Sequence, residues 1–282
     1  MTIPKIIHQT WKTTEIPEQW KSSVQKYQAL SAHGFQYILW TDDDNRNLIA
    51  TEFPWFLDQF DAYPYGIQRA DAIRYFILYK YGGIYSDLDI QPKDNFPAFV
   101  DMYQHADICL PSTKSGNAFA GQNFSNCFMM SSPECDFWPL VWKRLQDPFR
   151  KRGWKKFLAN FHYFKILFTT GPGIISDTAA EYDKPVVAIP AQLIQPGTEK
   201  DKIPVQRPES VVELLRGESW QKKDAGFWRA LSVAGNNSST ILIVLASLFF
   251  VLTIVFLYLW IRCRRNCKKH TFTTNHNNIK YT

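Results

Sequence analysis

Several things are missing from this chain of 282 residues. It shows no internal repeat, and no Gly/Ser linker or low-complexity run interrupts residues 1–235, so one large domain or two small ones fit its length. It has only five cysteines, an odd number with no metal-like spacing. Cys109, Cys127 and Cys135 are therefore expected to be inert thiols, and a disulfide among them would require an oxidising compartment. The opening stretch MTIPKIIHQTWK has no apolar h-region, so no secretory signal is expected there. Acids are absent from residues 262–282, where Arg262, Arg264, Arg265, Lys268, Lys269 and Lys280 account for the whole net charge of +6. The remainder carries 26 basic and 26 acidic residues. That balance excludes a polycationic nucleic-acid binder. A disordered chain is excluded too, because 45% of the residues are hydrophobic and only 21% are charged.

One run is present that needs no periodicity argument. Residues 240–261 read TILIVLASLFFVLTIVFLYLWI, without charge, Pro or Gly. As a helix these 22 residues reach about 33 Å, enough for a hydrocarbon core of about 30 Å. A single C-terminal transmembrane helix is expected, with Tyr258 and Trp260 near its downstream interface. Five basic residues follow within eight positions. They assign residues 262–282 to a basic cytosolic tail and put the rest across the membrane. A chain with only a C-terminal span leaves its N-terminal domain in the cytosol, so the two signals conflict. Cys263 and Cys267 sit where palmitoylation occurs. Asn123-Phe124-Ser125 and Asn236-Asn237-Ser238 match the N-glycosylation pattern.

Inside residues 1–235, strand-like and helix-like segments alternate. Residues 5–9, 35–40, 84–90 and 186–189 have strand character; residues 17–30 and 67–81 read as helices, the second closed by Gly82-Gly83. This alternation predicts an α/β sandwich with a largely parallel sheet, whose ligands bind beyond the carboxyl ends of the strands. The chemistry gathers in one stretch. Asp71 and Arg74 share a helix face. On a continuous strand Tyr85, Asp87 and Asp89 would also share a face. Two carboxylates at that spacing repel unless a cation lies between them, and a hard divalent ion would also neutralise a diphosphate.

With Arg69-Ala70-Asp71, Arg74, Gly82-Gly83, Tyr85, Asp87 and Asp89 in order, the chain resembles glycosyltransferase family 32, the sugar-binding region with the DXD motif. Within it the resemblance is closest to the mannosyl-inositol phosphorylceramide synthase catalytic subunits, through Ile3-Pro4-Lys5-Ile6-Ile7-His8-Gln9-Thr10, Tyr37-Ile38-Leu39-Trp40-Thr41-Asp42, Pro54-Trp55-Phe56-Leu57-Asp58, Thr170-Gly171-Pro172, and Gly217, Ser219 and Trp220. The resemblance implies a GT-A nucleotide-diphospho-sugar transferase fold. It implies transfer of mannose from GDP-mannose, with retention, to inositol phosphoceramide in the membrane. It also implies Mn2+ or Mg2+, a regulatory membrane subunit, and a Golgi or endomembrane setting that favours a luminal catalytic domain.

Residue roles follow from the same resemblance. Asp89 is implied as the direct metal ligand, and Asp87 as its partner, reaching ribose and sugar. Asp71 and Arg74 are implied to hold the donor sugar and its phosphates, supported by Arg69 and Tyr85. Trp11 is implied to stack on the nucleobase, and Ser219 and Trp220 to close on the diphosphate. His8 is expected to be a packed strand histidine. Some positions depart from the family pattern. Arg216-Gly217-Glu218-Ser219-Trp220-Gln221 lacks the two histidines of close relatives, so Glu218 or Ser219 would have to replace a ligand from that loop. Ile90 replaces an Asp after Asp89, and Ser125-Asn126-Cys127 replaces Ser-Asn-Asp.

No carboxylate identifies itself as a nucleophile beneath the sugar. Front-face departure, with the acceptor hydroxyl bonded to the leaving phosphate, is the simplest retaining scheme. A UDP-sugar donor or a glycoprotein glycan acceptor also fits the signature block. A membrane scaffold that has kept the fold is opposed by the intact Asp71, Arg74, Asp87 and Asp89. Basic and aromatic residues at 149–157 and around Phe227 and Trp228, next to a short connector at residues 234–239, fit a surface held against an anionic bilayer.

Overall fold

A computed structural model describes residues 2–117, 122–149, 153–194 and 209–215, together with Phe250, Thr253 and Ile254. The chain opens with β1 (Ile6–Thr10), α1 (Glu18–Ala29) and β2 (Gln36–Trp40). Next come α2 (Asp42–Glu52), the short α3 (Leu57–Asp61) and α4 (Gly66–Tyr81). The start of α2 is written in its sequence. Thr41 accepts from the Asp44 backbone and Asp44 answers to the Thr41 backbone, a capping box that satisfies two otherwise orphaned donors.

After α4 the chain forms β3 (Gly83–Ser86), β4 (Ile90–Pro92), α5 (Phe96–Tyr103), β5 (Ile108–Asn117), β6 (Gln122–Phe124) and β7 (Phe128–Ser131). The described part ends through α6 (Phe137–Gln146), α7 (Gly153–Leu158), α8 (His162–Thr169), α9 (Pro172–Ala179), β8 (Val187–Ile189), α10 (Ala191–Ile194) and β9 (Val212–Leu214). The main sheet runs β2-β1-β3-β7-β5-β6, with β8 beside β5; β4 and β9 pair separately.

The α/β expectation holds, and the largely parallel sheet is corrected. β1 pairs in parallel with β2 and β3, and β5 with β8, but β7 is antiparallel to β3 and β5, and β6 to β5. Among the described residues no helix crosses over between β5, β6 and β7, and strands joined without a crossover run antiparallel. The strand predicted over residues 84–90 is corrected too. It ends at Ser86, Asp87 to Asp89 form a turn, and the Ile90 N–H donates to the Asp87 carbonyl at 3.0 Å. Asp87 and Asp89 therefore do not share a face of one strand; the backbone leaves the ladder between them.

The central strands β3 and β7 are buried on both faces, so they show no polar alternation. Tyr85 and Met129 face a core with Phe56, Phe76 and Trp138; Ile84, Phe128 and Met130 face another with Tyr27, Phe96 and Phe99. Phe76 stacks on Trp142 with centroids 5.0 Å apart. Each fully buried side chain of this size contributes on the order of 1.5–3 kcal/mol. α7 and α8 add a small separate cluster around Phe164 and Phe168.

The chain divides into two units, Met1–Ala230 and Leu231–Thr282. In the second, Phe250, Thr253 and Ile254 are helical and exposed. No helix among the described residues is long and apolar enough to cross a membrane. The run at 240–261 lies almost wholly outside those residues, as do the tail at 262–282, Cys263 and Cys267. Cys109, Cys127 and Cys135 are free thiols.

Gly83 sits where α4 turns into β3. Its φ is +89°, and a Cβ there would meet the Ile6 carbonyl oxygen at 2.4 Å. Gly83→Ala is expected to cost at least about 2 kcal/mol through the strained φ and the displaced β1 backbone. Chemical denaturation checks this, and a Gly82→Ala variant, whose Cβ would lie 2.6 Å from the Pro133 nitrogen, should be similarly damaged.

Candidate active site

The three parallel strands β2, β1 and β3 end on one edge, and the candidate residues collect there. Thr10 ends β1 and Trp11 follows it, Thr41 and Asp42 follow β2, and Asp87 follows β3. α4 supplies Asp71 and Arg74. Arg74 is the centre of the arrangement, with its side chain only 4% exposed. Its Nη2 lies 3.1 Å from Asp71 Oδ1 and its Nη1 lies 3.2 Å from Asp87 Oδ1. Nη1 also donates to the Asn126 carbonyl at 2.7 Å, and Nε to the Ala70 carbonyl at 3.1 Å. The guanidinium carbon sits 4.4 Å from the centre of the Tyr85 ring. A lysine could not reproduce this planar fork.

Tyr85 closes the other side of Asp87. Its hydroxyl donates to Asp87 Oδ1 at 3.0 Å and lies 3.1 Å from Thr10 Oγ1. Both contacts to Asp87 fall on Oδ1, and Oδ2 takes part in neither. Burial raises the Asp87 carboxyl, opposed by Arg74 and the Tyr85 hydroxyl. Burial likewise pushes Asp71 up to about 6, against the pull of Arg74. A buried cation beside the buried Asp71 and the partly exposed Asp87 carries a large desolvation cost, offset by its pairing.

The turn itself is held on every side. Gln9 Nε2 donates to the Asp87 carbonyl at 3.2 Å, the Asp87 N–H to the Cys127 carbonyl at 2.9 Å, and Ser23 Oγ to the Ile90 carbonyl at 2.7 Å. The Leu215 N–H donates to the Asp89 carbonyl at 2.7 Å, so β9 leads the chain past Asp89. Ser219 and Trp220 follow in sequence and lie outside the described residues, as do Gly217 and Glu218.

The structure therefore brings together Asp71, Arg74, Tyr85, Asp87 and Asp89. Arg69 is half-buried one turn earlier, donating to the Tyr63 carbonyl at 2.7 Å. Its charge and that of Lys12 act on Asp42, whose carboxyl is nevertheless raised by burial. Trp11 is half-buried, with its ring edge-on to Trp20 at 5.0 Å. Sequence reasoning assigned no role to Asn126 or Gln9, which it met only within motifs, nor to Tyr75 or Ser23; their contacts depend on distant partners. A cleft of about 520 Å³ lined by Thr14, Glu15, Lys21 and Gln25 contains none of the candidate residues.

The Glycosyltransferase sugar-binding region containing DXD motif family matches residues 17–107. "Inositol phosphoceramide mannosyltransferase 2" of Schizosaccharomyces pombe is 36% identical over 262 residues, covering 90% of this chain and 68% of its own. "Mannosyl phosphorylinositol ceramide synthase CSH1" of Saccharomyces cerevisiae is 36% identical over 239 residues, covering 81% and 56%. The chain belongs to this glycosyltransferase family. It spans between about half and two thirds of those two curated relatives. Among solved structures, "PaToxG Glycosyltransferase" covers 64% of this chain and 70% of its own at 15% identity and a TM-score of 0.40; the likeness is too distant to argue from.

A divalent cation is implied by the family, and the residues fit one that takes few protein ligands. No group of three His, Cys, Asp or Glu side chains gathers among the described residues. Asp87 and Asp89 on one tight turn supply hard oxygen ligands, and such ions commonly take one or two carboxylates plus phosphate oxygens.

His8 is not part of this chemistry. Its Nε2 lies 3.0 Å from the Gly82 carbonyl, and its Nδ1 accepts from the Trp40 indole at 3.1 Å. Burial lowers its pKa to about 4, so the ring is neutral in the fold. Between the usual His value of about 6.5 and the folded value the unfolded chain binds more protons, so stability falls as pH drops through that window. Urea unfolding from pH 7 to pH 4 should show a loss of up to about 3 kcal/mol from this site, reduced in His8→Asn relative to the parent.

Proposed function

We propose that this glycosyltransferase moves mannose from GDP-mannose to inositol phosphoceramide, with Mn2+ or Mg2+ at Asp87 and Asp89. The observation that carries the reading is the Asp71–Arg74–Asp87 constellation on the DXD turn, at the strand ends of a chain whose curated relatives are named inositol phosphoceramide mannosyltransferases. A GT-A fold is part of the same reading, supported by the parallel β2-β1-β3 unit whose carboxyl ends meet that turn.

When bound, the cation supplies a Lewis acid that neutralises charge on the departing diphosphate. The protein's own residues do the rest. Asp89 presents a carboxylate on a turn fixed by Leu215. Asp87 keeps Oδ1 on Arg74 and Tyr85 and turns Oδ2 to ribose, sugar or cation. Asp71, pinned on both oxygens, accepts from sugar hydroxyls, and Arg74 keeps the two carboxylates compatible in a water-poor site. Trp11 stacks on the base, Arg69 faces the phosphates, and Ser219 and Trp220 close over them. Retention then follows from front-face departure, the acceptor hydroxyl passing its proton to the leaving phosphate.

The setting belongs to the proposal. The run at 240–261 anchors a luminal domain in the Golgi or a related endomembrane, beside a regulatory membrane subunit. Asn123 is exposed on β6, which supports a reachable glycosylation site. Exposed Lys156 and Phe161 support a headgroup-facing surface at α7 and α8; Lys151 and Arg152 lie outside the described residues.

The test is the purified full chain with Mn2+, a panel of nucleotide sugars and inositol phosphoceramide, with the lipids read by mass spectrometry. One added hexose from GDP-mannose alone is expected. A better UDP-sugar donor, or a soluble oligosaccharide as the better acceptor, would overturn the assignment. Asp89→Asn should lower turnover by about 100-fold or more with an unchanged melting temperature.

A further inference from the structure

Asn126 stands in the turn between β6 and β7, is 6% exposed, and touches both halves of the site. Its Nδ2 donates to Asp71 Oδ1 at 3.0 Å and to the Tyr75 hydroxyl at 3.1 Å. Its own carbonyl receives Arg74 Nη1 at 2.7 Å, and the next carbonyl, of Cys127, receives the Asp87 N–H at 2.9 Å. A ring closes behind it. The Tyr75 hydroxyl donates to the Thr170 carbonyl at 2.6 Å, and Thr170 Oγ1 donates to Asp71 Oδ2 at 3.3 Å.

An asparagine in a turn ordinarily caps its own backbone. Here that need is met elsewhere. The Ser125 N–H donates to the Pro111 carbonyl at 2.9 Å, and the Cys127 N–H to Ser125 Oγ at 3.4 Å. The Asn126 amide is spent entirely on α4. A primary amide offers two donors in one plane without a charge, one for a carboxylate and one for a phenol. Aspartate would set a second carboxylate against Asp71, and serine has a single donor.

We infer that Asn126 is a positioning residue for sugar transfer. With Thr170 it fixes the rotamer of Asp71, and through its carbonyl it fixes the guanidinium that spans Asp71 and Asp87. The segment at 125–127 is thus a strut joining α4 to the DXD turn, and it acts on the reaction only through Asp71 and Arg74. The inference rests on the proposed glycosyltransferase site and adds a residue to it.

A double-mutant cycle in the full chain separates positioning from general stability. Asn126→Ala, Asp71→Asn and the pair are assayed for kcat and for donor KM, with melting temperatures measured alongside. Asn126→Ala should lower kcat about ten-fold or more while leaving donor KM within about two-fold. In the Asp71→Asn background the same change should cost less than about two-fold, because its target is already lost. Thr170→Val, which keeps the side-chain shape, should repeat the pattern more weakly. If Asn126→Ala does not fold, Asn126→Ser, which keeps a small polar side chain with one donor, takes its place in the cycle. Equal losses in both backgrounds, or a near-normal kcat for the single variant, would overturn the inference. A wild-type chain that makes no mannosylated lipid counts against the proposed activity alone; the cycle is then scored on nucleotide-sugar hydrolysis, which needs no acceptor.

Discussion

Everything at this site depends on keeping one arginine charged and fully paired in a buried position. Taking a guanidinium out of water costs several kcal/mol, and an isolated buried cation would not persist. Arg74 persists because two carboxylates, two backbone carbonyls and an aromatic face surround it. The dependence is mutual. Asp71 and Asp87 are both pushed toward protonation by burial, and Arg74 opposes that push on each. Removing the arginine would leave two acids without their counter-charge; removing either acid would leave the cation under-paired.

This constraint explains why so much of the fold is spent on a few residues. α4 must be packed tightly enough to bury Asp71 and Arg74, which Phe76 and Ile77 do from its apolar side. Gly83 must let β3 lie against β1 so that Tyr85 reaches Thr10. Gln9, Ser23 and Cys127 then fix three backbone groups of the DXD turn, and β9 fixes a fourth. The backbone that carries the Asp87 and Asp89 carboxylates is thereby fixed by the fold itself, which for the proposed diphosphate site is the condition for electrostatic stabilisation without reorganisation.

Part of this was legible in the sequence. The i, i+3 spacing of Asp71 and Arg74 placed them on one helix face, and the Gly-Gly pair marked the end of that helix. Strand alternation was misleading at Asp87 and Asp89, because periodicity assumes an unbroken strand and the chain turns there. The antiparallel strand β7 was hidden because burial on both faces erases the polar alternation that would announce it. Asn126 and Thr170 were visible only as fragments of similar motifs. Their contacts to Asp71 span 55 and 99 positions, and nothing in local composition encodes a hydrogen bond across that distance. Ser219 and Trp220 lie outside the described residues, a few positions beyond Leu215, whose N–H donates to the Asp89 carbonyl.

The proposed activity requires that this turn be a cation and diphosphate site built on Arg74. Anomalous diffraction at the manganese edge, from crystals grown with Mn2+ and GDP, tests it most directly. One strong peak is expected within coordinating distance of the Asp87 and Asp89 carboxylates and next to the diphosphate, with the Arg74 guanidinium still between Asp71 and Asp87. A peak elsewhere on the molecule, or nucleotide bound away from the turn, would contradict it.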